Sequence, residues 1–173
     1  MDAIKAIMER VSTRKFSDRH ITDEELRIIL DAAMAGPSAT NARPFSFIVV
    51  RDKEMLGKMA DANMKYSEPL RGADVGILVC GDLERAYAAA PDFWVVDGTI
   101  AAQNMILAAH ALGIGSCWLG TWPVEERVEN HKKLFDLPEN IIPHSLIAFG
   151  FPEGEFRKQK DRYEEDRVHF EKW

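Results

Sequence analysis

The sequence predicts one α+β or α/β sandwich, in which helices cover a sheet of short apolar strands. Segments with the apolar spacing of a helix alternate with apolar runs of strand length. The 173 residues suit one domain of ordinary size. No repeat, low-complexity run or linker interrupts the chain, so a single domain is predicted over residues 1–173.

Two helices are predicted in the first quarter of the chain. The first spans about Asp2–Val11, with Asp2 as its N-cap. Its apolar residues recur at i, i+3, i+4 and i+7 and form one stripe: Ile4, Ile7, Met8 and Val11. The second begins at Thr22, which forms a capping box with Glu25, and it ends at Gly36-Pro37.

Strands and helices then alternate. Asp52 is predicted to cap a short helix that reaches Ala62, and a further helix spans Val124 to Phe135. The tail Glu153–Trp173 is mostly charged and has no clear period. The predicted strands are Phe45–Val50, Val75–Gly81, about Ser116–Leu119 and about Ser145–Phe149.

A long helix at Phe93–Leu112 is apolar on nearly every side, and Gly113 follows it. Such a helix must be covered all round. A second copy of the chain is a natural cover, and a central helix inside a monomer is the alternative. No charged residue occurs from Gly98 to Val124, but polar residues and glycines favour a buried helix and strand over a membrane span.

Composition restricts the class of protein. The net charge of −6 and the pI of about 5.4 argue against nucleic-acid binding and against adhesion to anionic membranes. The N-terminus lacks the pattern of a signal peptide, and a cytoplasmic protein is expected. Cys80 and Cys117 are predicted to be buried, reduced thiols. The five histidines are scattered without metal-ligand spacing, so no metal site is expected.

No familiar catalytic signature is present. The glycines at 113, 115 and 120 do not match GxGxxG after a strand, and Walker A, HExxH and GxSxG motifs are absent. No nucleophile–base pair can be identified. This pattern is expected when a bound cofactor performs the difficult step.

Four segments are candidates for binding such a cofactor. Each also has a purely structural explanation. In chain order, these explanations are a basic helix end, a helix–strand connection, the end of a helix before a core strand, and a solvated tail. Arginines with hydroxyls between them can bind phosphate, and small residues allow backbone to approach a flat ring. The segments are RVSTRKF (10–16), GPSATNARPF (36–45), LGIGSCWLG (112–120) and RKQKDR (157–162).

The order of these segments resembles the FMN-binding nitroreductase family, and the resemblance covers essentially the whole chain. The first matches helix–RxSxRxF, the second PSxxNxxPF/W, the third a long helix followed by LGxGxxWxG, and the last a basic pair before an ending like RVHxxxW. Three features differ from many relatives. Val11 replaces a second arginine, the chain is short, and the stretch Asp61–Arg71 gives no match to further ring contacts.

The resemblance implies a mostly antiparallel central sheet flanked by helices, in an intertwined homodimer that binds FMN. Arg10, Lys160 and Arg162 would hold the phosphate, and Ser12 the ribityl or phosphate oxygens. Arg14 would lie near the N1–O2 edge of the ring, where a cation stabilises reduced flavin. Backbone near N5 and O4 would come from Leu119 and Gly120. The partner subunit would contribute Pro37, Ser38, Ala39 and Asn41.

The implied activity is ping-pong hydride transfer. NADH or NADPH would reduce FMN at N5, and a small acceptor such as a nitroaromatic or quinone would then take the electrons. Alternatives within the superfamily are dehalogenase-like or flavin-fragmenting chemistry. Outside enzymes, a flavin-binding dimer without turnover and a dimer with an empty cleft remain open. The sequence leaves the physiological substrate, the choice of donor and the presence of a lid undecided.

Overall fold

A computed structural model describes all 173 residues and shows an α+β fold. The helices are α1 (Ala3–Glu9), α2 (Asp23–Met34), α3 (Lys53–Asn63), α4 (Phe93–Ala111) and α5 (Glu125–Phe135). The strands are β1 (Phe45–Val50), β2 (Val75–Asp82), β3 (Gly115–Gly120) and β4 (Ile141–Gly150). Three short 3₁₀ turns lie at Ala39–Asn41, Glu68–Leu70 and Glu165–Arg167.

The four strands form one sheet in the order β1-β2-β4-β3, and every pair is antiparallel. The predicted mostly antiparallel α+β fold is therefore confirmed. The two central strands, β2 and β4, pair with Leu78 opposite Leu146 and Ile77 opposite Ile147. All four of these side chains are fully buried, as expected for strands covered on both faces.

The alternation along β2 divides the core into two layers. Ile77 faces α2 and α4 and packs with Ile29 and Met105. Leu78 faces the opposite side and packs with Leu56 of α3. The helices therefore cover both faces of the sheet, which makes the sandwich predicted from the sequence.

The predicted helix starts are confirmed at the level of hydrogen bonds. Asp2 accepts the backbone N–H of Lys5 at 3.1 Å, and Asp52 accepts that of Met55 at 2.8 Å. Thr22 forms the full capping box with Glu25. The first helix is shorter than predicted, because Arg10 leaves the helical conformation with φ −57° and ψ 127°.

Strand β4 begins at Ile141, four residues before the predicted start at Ser145. Pro143 and His144 hid this part of the strand, because proline cannot donate to a ladder. The structure tolerates Pro143 because β3 pairs only with Ser145–Gly150 and because the pairing with β2 shifts register between Val79 and Cys80.

The chain does not cover α4 on every side. One face packs against the sheet and α2, but Phe93 and Val96 remain 46% and 50% exposed. On α1, Ile4 and Met8 of the predicted apolar stripe are 69% and 63% exposed. None of the helices combines the length and the apolar character needed to cross a membrane.

Candidate cofactor site

The segment after α1 is attached to one end of the sheet. The N–H of Thr13 donates to the carbonyl of Ser116 on β3 at 2.8 Å. Further on, the N–H of Ser17 donates to the carbonyl of Phe151 just beyond β4 at 2.9 Å. These bonds add the segment to the rim of the sheet and fix the backbone that carries Arg10 and Arg14.

A cleft of about 510 Å³ lies between this segment and the start of the C-terminal tail. It contains five of the predicted phosphate- and ring-binding side chains, and it adds two cations that the prediction did not include, Arg157 and Lys158. Its lining residues are Arg10, Val11, Ser12, Arg14, Arg157, Lys158, Gln159, Lys160, Asp161 and Arg162. We call it the cation cleft.

The six cations of this cleft have no acidic partners. All nine ion pairs of the chain lie elsewhere, so no carboxylate oxygen is within 4.0 Å of these guanidinium and ammonium groups. The one acidic residue in the lining, Asp161, accepts the backbone N–H of Tyr163 at 3.0 Å. Uncompensated like charges repel one another, and a multiply charged anion would relieve that repulsion.

A second cleft, of about 640 Å³, adjoins the first through Arg14, which lines both. We call it the ring cleft. One wall is the end of β3, including the predicted residues Leu119 and Gly120. The other wall is the segment that follows α3. The full lining is Arg14, Asn63, Lys65, Tyr66, Ser67, Glu68, Pro69, Cys117, Trp118, Leu119, Gly120 and Arg127.

Gly120 leaves space at the ring cleft. A Cβ built on this glycine meets no protein atom within 4 Å, and its φ is not in the left-handed region. Nothing within the chain therefore requires glycine at this position. A flat ligand lying against the backbone at Gly120 would supply the requirement.

Sequence reasoning identified no site residue between Asp61 and Arg71, but the structure places six residues of this stretch in the ring cleft. Two of the six, Asn63 and Ser67, are polar and buried. Asn63 donates to Ser67 Oγ at 2.9 Å, and Asn63 Oδ1 accepts from the hydroxyl of Thr121 at 2.8 Å. The i, i+4 spacing of Asn63 and Ser67 is a weak signal in the sequence, because asparagine and serine are mostly exposed in folded proteins.

The loop predicted to serve a partner lies outside both clefts. Pro37, Ser38 and Ala39 line a different depression, with Phe93 and Asp97. The buried Asp97 accepts the N–H of Ala39 at 3.1 Å through Oδ1, while its Oδ2 has no partner. Asn41 is exposed, with φ 57°. The single chain therefore does not bring this loop to Arg10 or Gly120.

The two thiols are buried and free, as predicted. Burial raises the pKa of Cys80 to about 12. Burial also raises the pKa of Cys117, which lines the ring cleft, although the nearby charge of Arg14 opposes the shift. Both groups are thiols at neutral pH, so Cys117 does not offer a thiolate nucleophile to this cleft.

The structure is an α+β fold in which a cleft of unpaired cations, suited to an anionic group, adjoins a cleft with open space beside the backbone of Gly120, suited to a flat group. The sequence profile of the Nitroreductase family matches residues 7–151, most of the chain. The chain belongs to the nitroreductase family, as predicted from the order of its motifs.

Individual relatives agree with this assignment. A Methanothermobacter thermautotrophicus protein provisionally named NADH dehydrogenase/NAD(P)H nitroreductase is 47% identical over 175 residues, covering 100% of this chain and 88% of that protein. The crystal structure of a provisional NADH oxidase from Clostridium acetobutylicum superposes with a TM-score of 0.92 at 37% identity, covering 99% and 100% of the two chains. A provisional nitroreductase from Desulfovibrio desulfuricans, solved in complex with FMN, gives 0.83 at 32% identity, covering 100% and 98%.

Proposed function

We propose that this chain is an FMN-dependent oxidoreductase that takes electrons from NADH or NADPH and passes them to a small acceptor such as a nitroaromatic or a quinone. One observation carries this proposal: the cation cleft and the ring cleft meet at Arg14, which lines both. The cations of the first cleft are unpaired, and the second leaves open space beside the backbone of Gly120. FMN has the matching form, a phosphate at one end and a flat ring at the other. The Desulfovibrio desulfuricans relative was solved in complex with FMN, which supports the same ligand for this chain.

At the anionic end, Arg10, Lys160 and Arg162 would hold the phosphate, and Ser12 would bind the ribityl or phosphate oxygens. Guanidinium groups bind phosphate oxygens in pairs, and their bonds to charged oxygen are stronger than neutral ones. Because these cations have no carboxylate partners, they lose no ion pair when an anion binds. Arg157 and Lys158, which line the same cleft, add to its positive potential.

At the flat end, Leu119 and Gly120 would contribute backbone to the ring edge, and Arg14 would lie where the two parts of the ligand meet. Bound FMN would supply the redox chemistry, by accepting a hydride from the nicotinamide and passing electrons to the acceptor. Arg14 would stabilise the negative charge that develops on reduction. We propose that nucleotide and acceptor occupy the ring cleft in turn, in a ping-pong sequence.

The active form is proposed to be a homodimer, in the cytoplasm. Exposed apolar side chains support it: the α1 stripe, Phe93 and Val96 of α4, and the tail residue Trp173, which is fully exposed in the single chain. The loop residues Pro37, Ser38, Ala39 and Asn41 would then reach the flavin of the partner subunit. This placement is consistent with their separation from the two clefts within one chain.

The experiment is anaerobic reduction of FMN-loaded protein by NADH and, separately, by NADPH. The flavin absorbance is expected to bleach and then to return when a quinone is added. When turnover rates are measured with the concentrations of nucleotide and quinone both varied, the rate is expected to saturate with each substrate and to give parallel double-reciprocal lines. Flavin that stays oxidised with both nucleotides would show binding without turnover, and intersecting lines would contradict the ping-pong sequence.

A further inference from the structure

Arg127 contacts both walls of the ring cleft. One terminal nitrogen donates to the carbonyl of Gly120 at 2.5 Å, and the other donates to the carbonyl of Lys65 at 3.3 Å. Its Nε is buried and has no partner. One planar side chain thus holds the end of β3 and the segment after α3 at a fixed separation.

The position of this arginine in α5 does not serve the helix. Arg127 is the third residue of α5, and the first turn is the positive end of the helix dipole, where a cation is unfavourable. Glu125 and Glu126 precede it and suit that position. An arginine here is explained by its two contacts outside the helix.

The carbonyl of Gly120 accepts a second donor, Nδ2 of Asn63, at 3.4 Å. Asn63 is itself fixed by Ser67 and Thr121, and all three of these residues are at most 2% exposed. The peptide that follows Gly120 is therefore held by a cation and by a buried polar network. Backbone bonding to β4 resumes at Trp122, whose N–H donates to the carbonyl of His144 at 2.9 Å. Between these points, the Gly120 carbonyl accepts from Arg127 and Asn63, so these two side chains help to set the orientation of that peptide.

We propose that Arg127 is a positioning residue for the flavin ring: by joining the carbonyls of Gly120 and Lys65, it fixes the backbone against which the ring lies. This inference rests on the proposed function, since it requires FMN in the ring cleft. It makes Arg127 responsible for the shape of the site rather than for its charge. A lysine carries the same charge but cannot hold two carbonyls in one plane, so it does not replace this arginine.

The test compares R127K and R127M with wild type, with R27M as the matched control, because Arg27 pairs only with Asp31 on the exposed side of α2. FMN affinity is measured by flavin fluorescence on the apoprotein, the reduction potential by equilibration with a reference dye, and apoprotein stability by thermal melting. Both Arg127 variants are expected to bind FMN about tenfold more weakly and to shift the potential, whereas R27M binds like wild type.

Three other outcomes would overturn the proposal. If R127K keeps wild-type affinity and potential, the charge is what matters. If both variants melt earlier but bind FMN normally with an unchanged potential, Arg127 has only a structural role in α5. If all variants bind and reduce FMN like wild type, it has no role in the site. Failure of the wild-type protein itself to bind FMN would instead reject the proposed function.

A second variant keeps the test usable if R127M does not fold. T121V removes the hydroxyl that donates to Asn63 but keeps the volume of the side chain. It is expected to weaken FMN binding in the same direction and by less, since Asn63 is only the second donor to the Gly120 carbonyl. An unchanged FMN affinity in T121V would contradict the fixed-backbone explanation.

Discussion

Thr13 occupies the space that a side chain at Gly115 would need. A Cβ on Gly115 would lie 2.6 Å from Thr13 Oγ1 and 2.7 Å from Thr13 Cβ, closer than a Cβ approaches non-bonded atoms in folded proteins. Thr13 also donates its backbone N–H to the carbonyl of Ser116, the residue after Gly115. This hydrogen bond attaches the segment that carries Arg10 and Arg14 to β3. Glycine at 115 is thus a requirement of the fold, whereas glycine at 120 is not explained by the chain alone.

This contrast gives a matched pair of variants. G115A is expected to destabilise the apoprotein by about 1–3 kcal/mol, because Thr13 must move. G120A is expected to leave apoprotein stability unchanged or slightly higher, because its Cβ enters open space, and yet to weaken FMN binding at least tenfold. Denaturant unfolding and FMN titration of both variants check this. A G120A protein that binds FMN like wild type would show that no ring lies against Gly120.

Asp74 connects the start of α2 to the sheet. Its buried carboxylate accepts from the N–H of Ile21 at 2.8 Å and lies 3.4 Å from Arg51 and 2.6 Å from the ring of His20. D74N is expected to lower the free energy of unfolding by about 1–3 kcal/mol, because the amide has one accepting oxygen where the carboxylate has two. D31N, on the exposed face of α2, serves as the control and should change stability by less than about 0.5 kcal/mol. Equal small effects in urea unfolding would contradict this role.

His131 is expected to make the free energy of unfolding depend on pH in the acidic range. It is fully buried in α5 with no partner for either ring nitrogen, and burial lowers its pKa from 6.5 to about 4. Because the unfolded chain binds this proton more readily, stability is retained above pH 6.5 and decreases as pH falls toward 4, by up to about 3 kcal/mol.

The variant H131L should be at least as stable as wild type at pH 7 and should lose less stability at pH 4.5. Urea unfolding at pH 7.0, 5.5 and 4.5 measures this. The pKa values of His110 and His144 are also lowered by burial, so part of the acid sensitivity should persist in the variant. Identical pH profiles for H131L and wild type would rule out His131 as a source.

The exposed stripe on α1 tests the dimer. Placing charges there, with I4E and M8E together, should prevent association, because charges at a buried interface have no partners. Light scattering should then give the 19.6 kDa mass of the chain instead of twice that value. FMN affinity should fall as well, since the loop Pro37–Asn41 of the partner would be absent. A monomeric wild-type protein with FMN bound would contradict the proposed assembly.

Much of the fold was predictable because its signals are local. The caps at Asp2, Thr22 and Asp52 depend on residues three apart, and the buried strand β2 is one apolar run. The early start of β4 was not predictable, since Pro143 is acceptable only where β3 does not pair.

The site was predictable to a different degree. Arg10, Ser12, Arg14, Lys160 and Arg162 were each weak signals, and only their order along the chain singled them out before the structure brought them to one cleft. The contact of Arg127 with Gly120 depends on how α5 packs against α3, and no spacing in the sequence encodes it.

Arg14 and Arg10 are expected to have separate roles. R14A should lower the reduction potential of bound FMN by about 20–60 mV, which corresponds to about 1–3 kcal/mol for two electrons at an intermediate dielectric constant. It should also slow reduction by NADH while retaining FMN. R10A should weaken FMN binding and leave the chemistry of loaded protein nearly normal. Potentiometry and FMN titration on both variants measure this, and an unchanged potential in R14A would remove Arg14 from the ring edge.

Parallel titration of the apoprotein with FMN and with riboflavin tests most directly whether the cation cleft holds the phosphate of a flavin nucleotide. The two ligands share the ring and the ribityl chain and differ only in the phosphate. FMN is expected to bind at about one per chain and at least about 100-fold more tightly than riboflavin, since several charge-assisted bonds would depend on the phosphate. Equal affinities for the two ligands, or no change in the flavin spectrum with either, would contradict the assignment of Arg10, Ser12, Lys160 and Arg162.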